Sequence, residues 1–252
     1  MAIEPGRSGA EPRVWVLVAA LVVLGVLYNV PYGAYLVYPL KLFSTWIHEM
    51  SHGLAAILVG GRFDHLILRA DTSGLAMTAM PEGRLARGFV ASAGYLGTTL
   101  AGALMVASQP SRRAARLTLM ALALALLVSV VLWVRSVFGA FACLLMGAAL
   151  LWLARRPTSG WHAGFLQLLG AQTCIQAVLN IRTLYSVDGH PDAQSLASLF
   201  FLPAWFWATL WMALSLVVLY LALRRAFARG RQAAPGALAG LEVELRRAGR
   251  SG

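Results

Sequence analysis

Apolar runs of about 18 residues or more recur along the 252-residue chain, and each is long enough to cross about 30 Å of hydrocarbon as a helix. They fall at about residues 13–30, 41–59, 88–108, 114–134, 136–154, 161–181 and 198–223. Lipid offers no partner for a backbone N–H or C=O, so a spanning segment must satisfy its own backbone, as a helix or within a closed barrel. The two-residue alternation of a barrel strand is absent. The expected fold is therefore all-α: a polytopic transmembrane helix bundle of about seven spans, or six plus a re-entrant segment. No internal repeat and no second domain are visible.

Composition agrees. Only 12% of residues are charged, where a soluble domain needs about a quarter to cover its surface. The chain is 59% hydrophobic with a mean hydropathy of +0.70. Its net charge of +11, from 21 Lys+Arg against 10 Asp+Glu, would suggest nucleic acid in a soluble protein. Here the arginines sit mostly at the ends of apolar runs and in the tail, where they set topology and meet anionic headgroups. The expected partner is the lipid bilayer, not nucleic acid. With seven spans, the Arg112/Arg113/Arg116, Arg155/Arg156 and Arg224/Arg225/Arg229/Arg231 clusters fall on one side, which is read as cytoplasmic.

Three segments follow. Residues 1–12 are polar, with Pro5, Gly6 and Pro12, and are expected to be disordered. Residues 13–224 form a single membrane domain, and 225–252 a basic cytoplasmic tail with a short amphipathic helix near 237–248. The run from Val14 to Val30 is long for a signal peptide, and Asn29-Val30-Pro31-Tyr32 is a poor cleavage site, so it reads as a retained first helix. Tyr32, Tyr35 and Tyr38 read as an interfacial link to the second run. Cys143 and Cys174 lie in apolar segments and read as packed thiols. The Ala/Arg/Gly bias, with Lys41 the only lysine, points to a GC-rich bacterium and hence to a bacterial inner membrane.

The chemistry is concentrated in His48-Glu49-Met50-Ser51-His52. Residues four apart on a helix differ by about 40° in azimuth, so His48 and His52 share a face and can hold one Zn²⁺. Glu49 is one step round the helix, placed as general base for a zinc-activated water. About 0.002 chance matches to H-E-x-x-H are expected in this composition, which argues against accident. Glu49 is also the only carboxylate between Glu11 and Asp64, and an acid inside a membrane is costly enough to mark a function. The bland alternative is a His/Glu trio hydrogen-bonded to other helices.

A catalytic zinc needs a third protein ligand. Asp188 and Asp192 are the candidates, in the stretch from Asn180 to Ala197. Asp192 reads equally as an N-cap, since Pro191-Asp192-Ala193-Gln194 opens a helix well, and Asp188 as a solvated turn residue. His190 reads as a loop residue, and His65 and His162 as interfacial or structural. Between Arg62 and Pro81 the turn signal Asp71-Thr72-Ser73-Gly74 separates two strand-like runs and predicts a small hairpin.

His48-Glu49-x-x-His52-Gly53, followed by Gly60-Gly61, resembles the peptidase M50 family of site-2-protease-like intramembrane zinc metalloproteases, most closely its M50B-like branch. Thr72-Ser73-Gly74 lies where that branch has a strand-rich segment. Ser92-Ala93-Gly94-Tyr95-Leu96-Gly97 is similar to its Gly-rich third-helix motif. Pro191-Asp192-Ala193-Gln194-Ser195-Leu196-Ala197, followed by Leu202-Pro203-Ala204-Trp205, is similar to its Ser-Asp-Ala…Leu-Pro-x-x-Trp stretch. The resemblance covers about residues 40–215. It implies zinc held by His48, His52 and an Asp, with Glu49 as base, and cleavage of a peptide bond within or near a transmembrane helix of a client membrane protein. Asp192 matches the branch's Asp-Ala motif and is favoured. Asn180 and Asp188-Gly189 match an Asn…Asp-Gly spacing of site-2 proteases, but Thr183 stands where a proline is expected, so Asp188 is the alternative. No PDZ insertion is present.

Two other functions compete: a non-proteolytic binding or regulatory membrane protein of the same fold, and a transporter using the same polar groups as a relay. A transporter usually shows paired halves, and none are visible.

Overall fold

The structure is a computed structural model describing residues 14–108, 112–156, 159–184, 191–218, 220–221 and 224. The described residues are mostly helical, with one small antiparallel sheet. The helices are α1 (Val14–Leu27), α2 (Gly33–Leu58), α3 (Arg84–Ser108), α4 (Arg112–Leu132), α5 (Val137–Arg155), α6 (Ser159–Leu184), α7 (Pro191–Phe200) and α8 (Ala204–Val218). The hairpin of β1 (Arg62–Leu68) and β2 (Gly74–Ala79) lies between α2 and α3, where the turn signal predicts it.

Among the described residues three helices are long and apolar enough to cross a membrane: α3, α4 from Arg113, and α5. A fourth span results if α7 and α8 are taken as one broken segment. The expected seven spans are thus not reached among the described residues. The runs at 13–30, 41–59 and 161–181 are helical as α1, α2 and α6 but are not among those helices. α1 has only 14 described residues. α2 carries the polar site, and α6 buries Gln167 and Gln172 against its neighbours. His52 of α2 and Gln167 and Gln172 of α6 are buried in protein, so these polar groups need not meet lipid. By contrast α4 and α5 turn Leu117, Leu124, Val131, Val137 and Phe141 outward, as a lipid-facing surface requires.

Two boundaries differ from expectation. The aromatic link is helical: α2 starts at Gly33, directly after Tyr32 in the left-handed region at φ 65°. The single span expected at 198–223 is instead α7 and α8, bent by 116°. Phe201 takes φ 57°, and Pro203 has no N–H to continue a helical ladder, so the first helix stops and the chain turns.

The end of α2 follows the signal read at Gly60-Gly61. Gly60 takes φ 82°, its N–H reaches the Ile57 carbonyl, and the Gly61 N–H reaches that of Ala56. This Schellman closure delivers the chain straight into β1. β1 is held on both sides: it pairs with β2, and on its other edge the Leu66 N–H bonds to the Trp133 carbonyl at 2.9 Å. The hairpin therefore lies at the end of α3 opposite the Arg112/Arg113/Arg116 cluster, beside the α4–α5 turn.

One buried cluster joins α2, β1 and α4–α6 through Trp46, Leu66, Leu126 and Leu166. A second joins α3, α7 and α8 through Tyr95, Ala193, Leu196 and Trp211. The polar face of α2 lies between them.

Candidate metal centre

The centre is built from α2, α3 and α7. The helical period puts His48 and His52 on one face of α2, and their rings meet edge to face at 4.7 Å. Asp192 lies in the first turn of α7. Ala193 and Leu196, three apart, seat that helix against Tyr95 and Trp211, and the adjacent Asp192 side chain is carried to the two imidazoles. The positive end of the α7 dipole favours a carboxylate there.

His48 Nε2, His52 Nε2 and Asp192 Oδ2 form a near-equilateral triangle. The two nitrogens are 3.1 Å apart, and the oxygen is 3.2 Å from His48 and 3.3 Å from His52. Among the described residues these three are the group that could hold a metal ion. Tetrahedral zinc with bonds of about 2.0–2.1 Å sets its ligand atoms about 3.3 Å apart, so the spacing fits.

The proton inventory points the same way. His52 Nδ1 lies 2.7 Å from the Val90 carbonyl, which can only accept, so Nδ1 carries the proton. In the neutral form of His52 the lone pair of Nε2 points towards His48 and an acidic oxygen. Such a convergence of acceptors needs a proton or a cation between them. The Val90 contact is also the kind of outer partner that orients a metal-bound histidine.

Gly94 of α3 leaves room for the rings. A β-carbon there would lie 2.5 Å from His48 Cε1 and 2.6 Å from His48 Nε2. At Gly97 a β-carbon would lie 2.5 Å from Ser51 Cβ. Gly94 and Gly97, about one turn apart on α3, thus face the motif helix together. Tyr95 places its ring edge to face on His48 at 5.1 Å and stacks on Trp211 at 4.6 Å.

Glu49 accepts the backbone N–H of Ala76, in β2, on Oε2 at 2.8 Å. It lines, with the triangle, a cavity of about 710 Å³ whose wall also includes β2 from Gly74 to Ala76 and Ser195 and Ser198 of α7. Lys41, Asp71 and Arg87 lie on the same cavity. Hydrogen bonds from the Ser73 side chain and backbone hold the exposed Asp71 carboxyl below its ordinary range.

His48, Glu49, His52 and Asp192 share one cavity. Asp188 and His190 lie outside the described residues. His65 sits in β1 opposite Met77, and His162 donates from Nε2 to the Leu153 carbonyl at 2.8 Å; neither lines the cavity. Two groups escaped sequence reasoning, the Val90 carbonyl and the Ala76 N–H. Both belong to the backbone, which no residue type advertises. The Tyr95 ring was legible only as part of the glycine-rich motif.

A family model described as Peptidase M50B-like matches residues 15–222. No significantly similar curated protein and no significantly similar solved structure was found.

Proposed function

The chain belongs to the peptidase M50B-like family, and on that premise we propose that it is an intramembrane zinc metalloprotease, hydrolysing peptide bonds in or near transmembrane segments of client membrane proteins. The observation that carries this reading is the convergence of two imidazole nitrogens and one carboxylate oxygen beside Glu49 on one cavity.

His48, His52 and Asp192 are the residues that would hold the zinc ion. When bound, the ion supplies Lewis acidity towards the scissile carbonyl and makes water more acidic. Glu49 is the general base. Its Oε2 is engaged by Ala76, which leaves Oε1 to take a proton from water and later return it to the leaving amine. The Val90 carbonyl keeps His52 in the tautomer that a ligand needs. The polar cavity wall supplies the water path that lipid denies. A helical carbonyl is shielded by its own hydrogen bond, so a client helix has to unwind, and its extended segment then meets the outer edge of β2.

In this reading residues 13–224 are one membrane-embedded domain and 225–252 a cytoplasmic tail, in the inner membrane of a bacterium. α4 and α5 are consecutive spans, so the arginines at 112–116 and 155–156 lie on the same, cytoplasmic, side.

The test is zinc content and hydrolysis of fluorescently labelled casein by the purified full-length protein in detergent. The reading expects stoichiometric zinc, with cleavage by the wild type and none by Glu49→Gln. Absence of stoichiometric metal, or cleavage undiminished in Glu49→Gln, overturns it.

A further inference from the structure

α2 presents three side chains to the hairpin along one line. Tyr38, Thr45 and Glu49 are spaced i, i+7 and i+11, which keeps them within about 40° of one another around the helix. Tyr38 Oη donates to the Ala70 carbonyl at 2.7 Å, and Thr45 Oγ1 to the Thr72 carbonyl at 2.9 Å. Glu49 completes the row by accepting the Ala76 N–H at 2.8 Å.

Strand register explains why that N–H is available. Ala76 pairs with Leu66. Leu66 directs its own groups to the opposite edge, donating to the Trp133 carbonyl and accepting from the Arg135 N–H, both at 2.9 Å. Ala76 and Leu66 are therefore a non-hydrogen-bonded pair, and the Ala76 N–H and C=O point off the sheet towards the cavity. Gly74 lets the strand come close: a β-carbon there would lie 2.6 Å from Glu49 Cγ and 2.8 Å from Thr45 Cγ2.

We propose that the hairpin is the positioning element of Glu49: docked on α2 by Tyr38 and Thr45, it holds the carboxylate beside the imidazoles through the Ala76 N–H. The proposal rests on Glu49 being the general base. Ala76 acts through Glu49 and is a positioning residue. Because the same edge of β2 also lines the cavity, a displacement of the hairpin by an extended substrate moves the base with it. Engagement of substrate and alignment of the base are thereby one event.

The test uses the full-length protein in detergent micelles, with hydrogen exchange over residues 74–79, zinc content, and kinetics on labelled casein. Thr45→Val keeps the shape and removes the hydroxyl, and Thr45→Ser keeps the hydroxyl. Ala76→Pro removes an N–H on a sheet edge, a strand position where proline is tolerated. Glu49→Ala and Thr45→Val are expected to speed Ala76 amide exchange by about tenfold or more, and Thr45→Ser not to. Zinc content stays unchanged throughout. In Thr45→Val and Ala76→Pro, kcat falls on the order of tenfold to a hundredfold while KM stays within about twofold, and Thr45→Ser restores kcat. Wild-type exchange in Glu49→Ala, or wild-type kcat in Thr45→Val, overturns the proposal. A wild-type protein with zinc but no hydrolysis removes the peptidase reading instead, and the exchange measurement still decides whether the tether exists.

Discussion

Asp192 Oδ2 lies 3.2 Å from His48 Nε2, although 144 positions separate the two residues in the chain. The contact is made by the first turn of α7, which Ala193 and Leu196 clamp against α3 and α8. An anion and two imidazoles held this close need a proton or a cation between them, and the three atoms are spaced so that they could hold a metal ion.

Asp192→Asn tests that demand with little change of shape. Loss of an outer partner already costs about 10–100-fold in metal affinity, so loss of a direct ligand is expected to cost at least about a hundredfold. Chelator competition on the purified protein, followed by metal analysis, measures it. Zinc retained at wild-type affinity would take Asp192 out of the ligand set.

Glu49→Gln separates metal binding from proton transfer. The glutamine carbonyl can still accept the Ala76 N–H, so the hairpin should stay docked and zinc should remain. Turnover is expected to fall by roughly 10²–10⁴-fold, the usual range for a lost general base. A variant that cleaves as fast as the wild type would assign the base to another group.

Gly94→Ala inserts a carbon where the His48 ring already sits, 2.5 Å from Cε1. The ring is confined between Tyr95 and His52, so it must leave its present place. The expected outcome is zinc content below about half of wild type with the thermal midpoint lowered by only a few degrees. Gly25→Ala meets nothing within 4 Å and serves as the matched control, with both quantities unchanged. Full zinc occupancy in Gly94→Ala would refute the steric account of this glycine.

Ser129→Ala probes the core behind the site. Trp46 Nε1 donates to Ser129 Oγ at 3.0 Å, and both side chains are buried. The alanine strands the indole N–H, which costs about 1–3 kcal/mol. Thermal unfolding in detergent should shift down by about 2–10 °C while zinc content holds, because the indole is not among the metal-facing groups. An unchanged midpoint would mean the N–H finds another partner.

Much of the local structure was legible in the residues themselves. Apolar runs placed α3, α4 and α5 to within a few residues, because a helix in lipid needs length and apolarity and both are written in sequence. Asp71-Thr72-Ser73-Gly74 marked the hairpin, and in the structure Thr72 takes φ 69° while the Ser73 N–H bonds to Asp71. The four-residue spacing of His48 and His52 fixes their shared face by helical period alone.

What local pattern could not supply was the end of the bundle and the company of the motif. The continuous run at 198–223 hides a 116° bend at Pro203, since apolarity is blind to direction. The resemblance favoured Asp192 over Asp188, which lies outside the described residues, but only the packing of α7 on α3 brings Asp192 to the imidazoles. The Val90 carbonyl and the Ala76 N–H carry no side-chain signature at all. Period and composition are properties of neighbours along the chain and so can be read directly; convergence of α2, α3, β2 and α7 is set by side-chain packing between distant segments, and only the tertiary structure decides it.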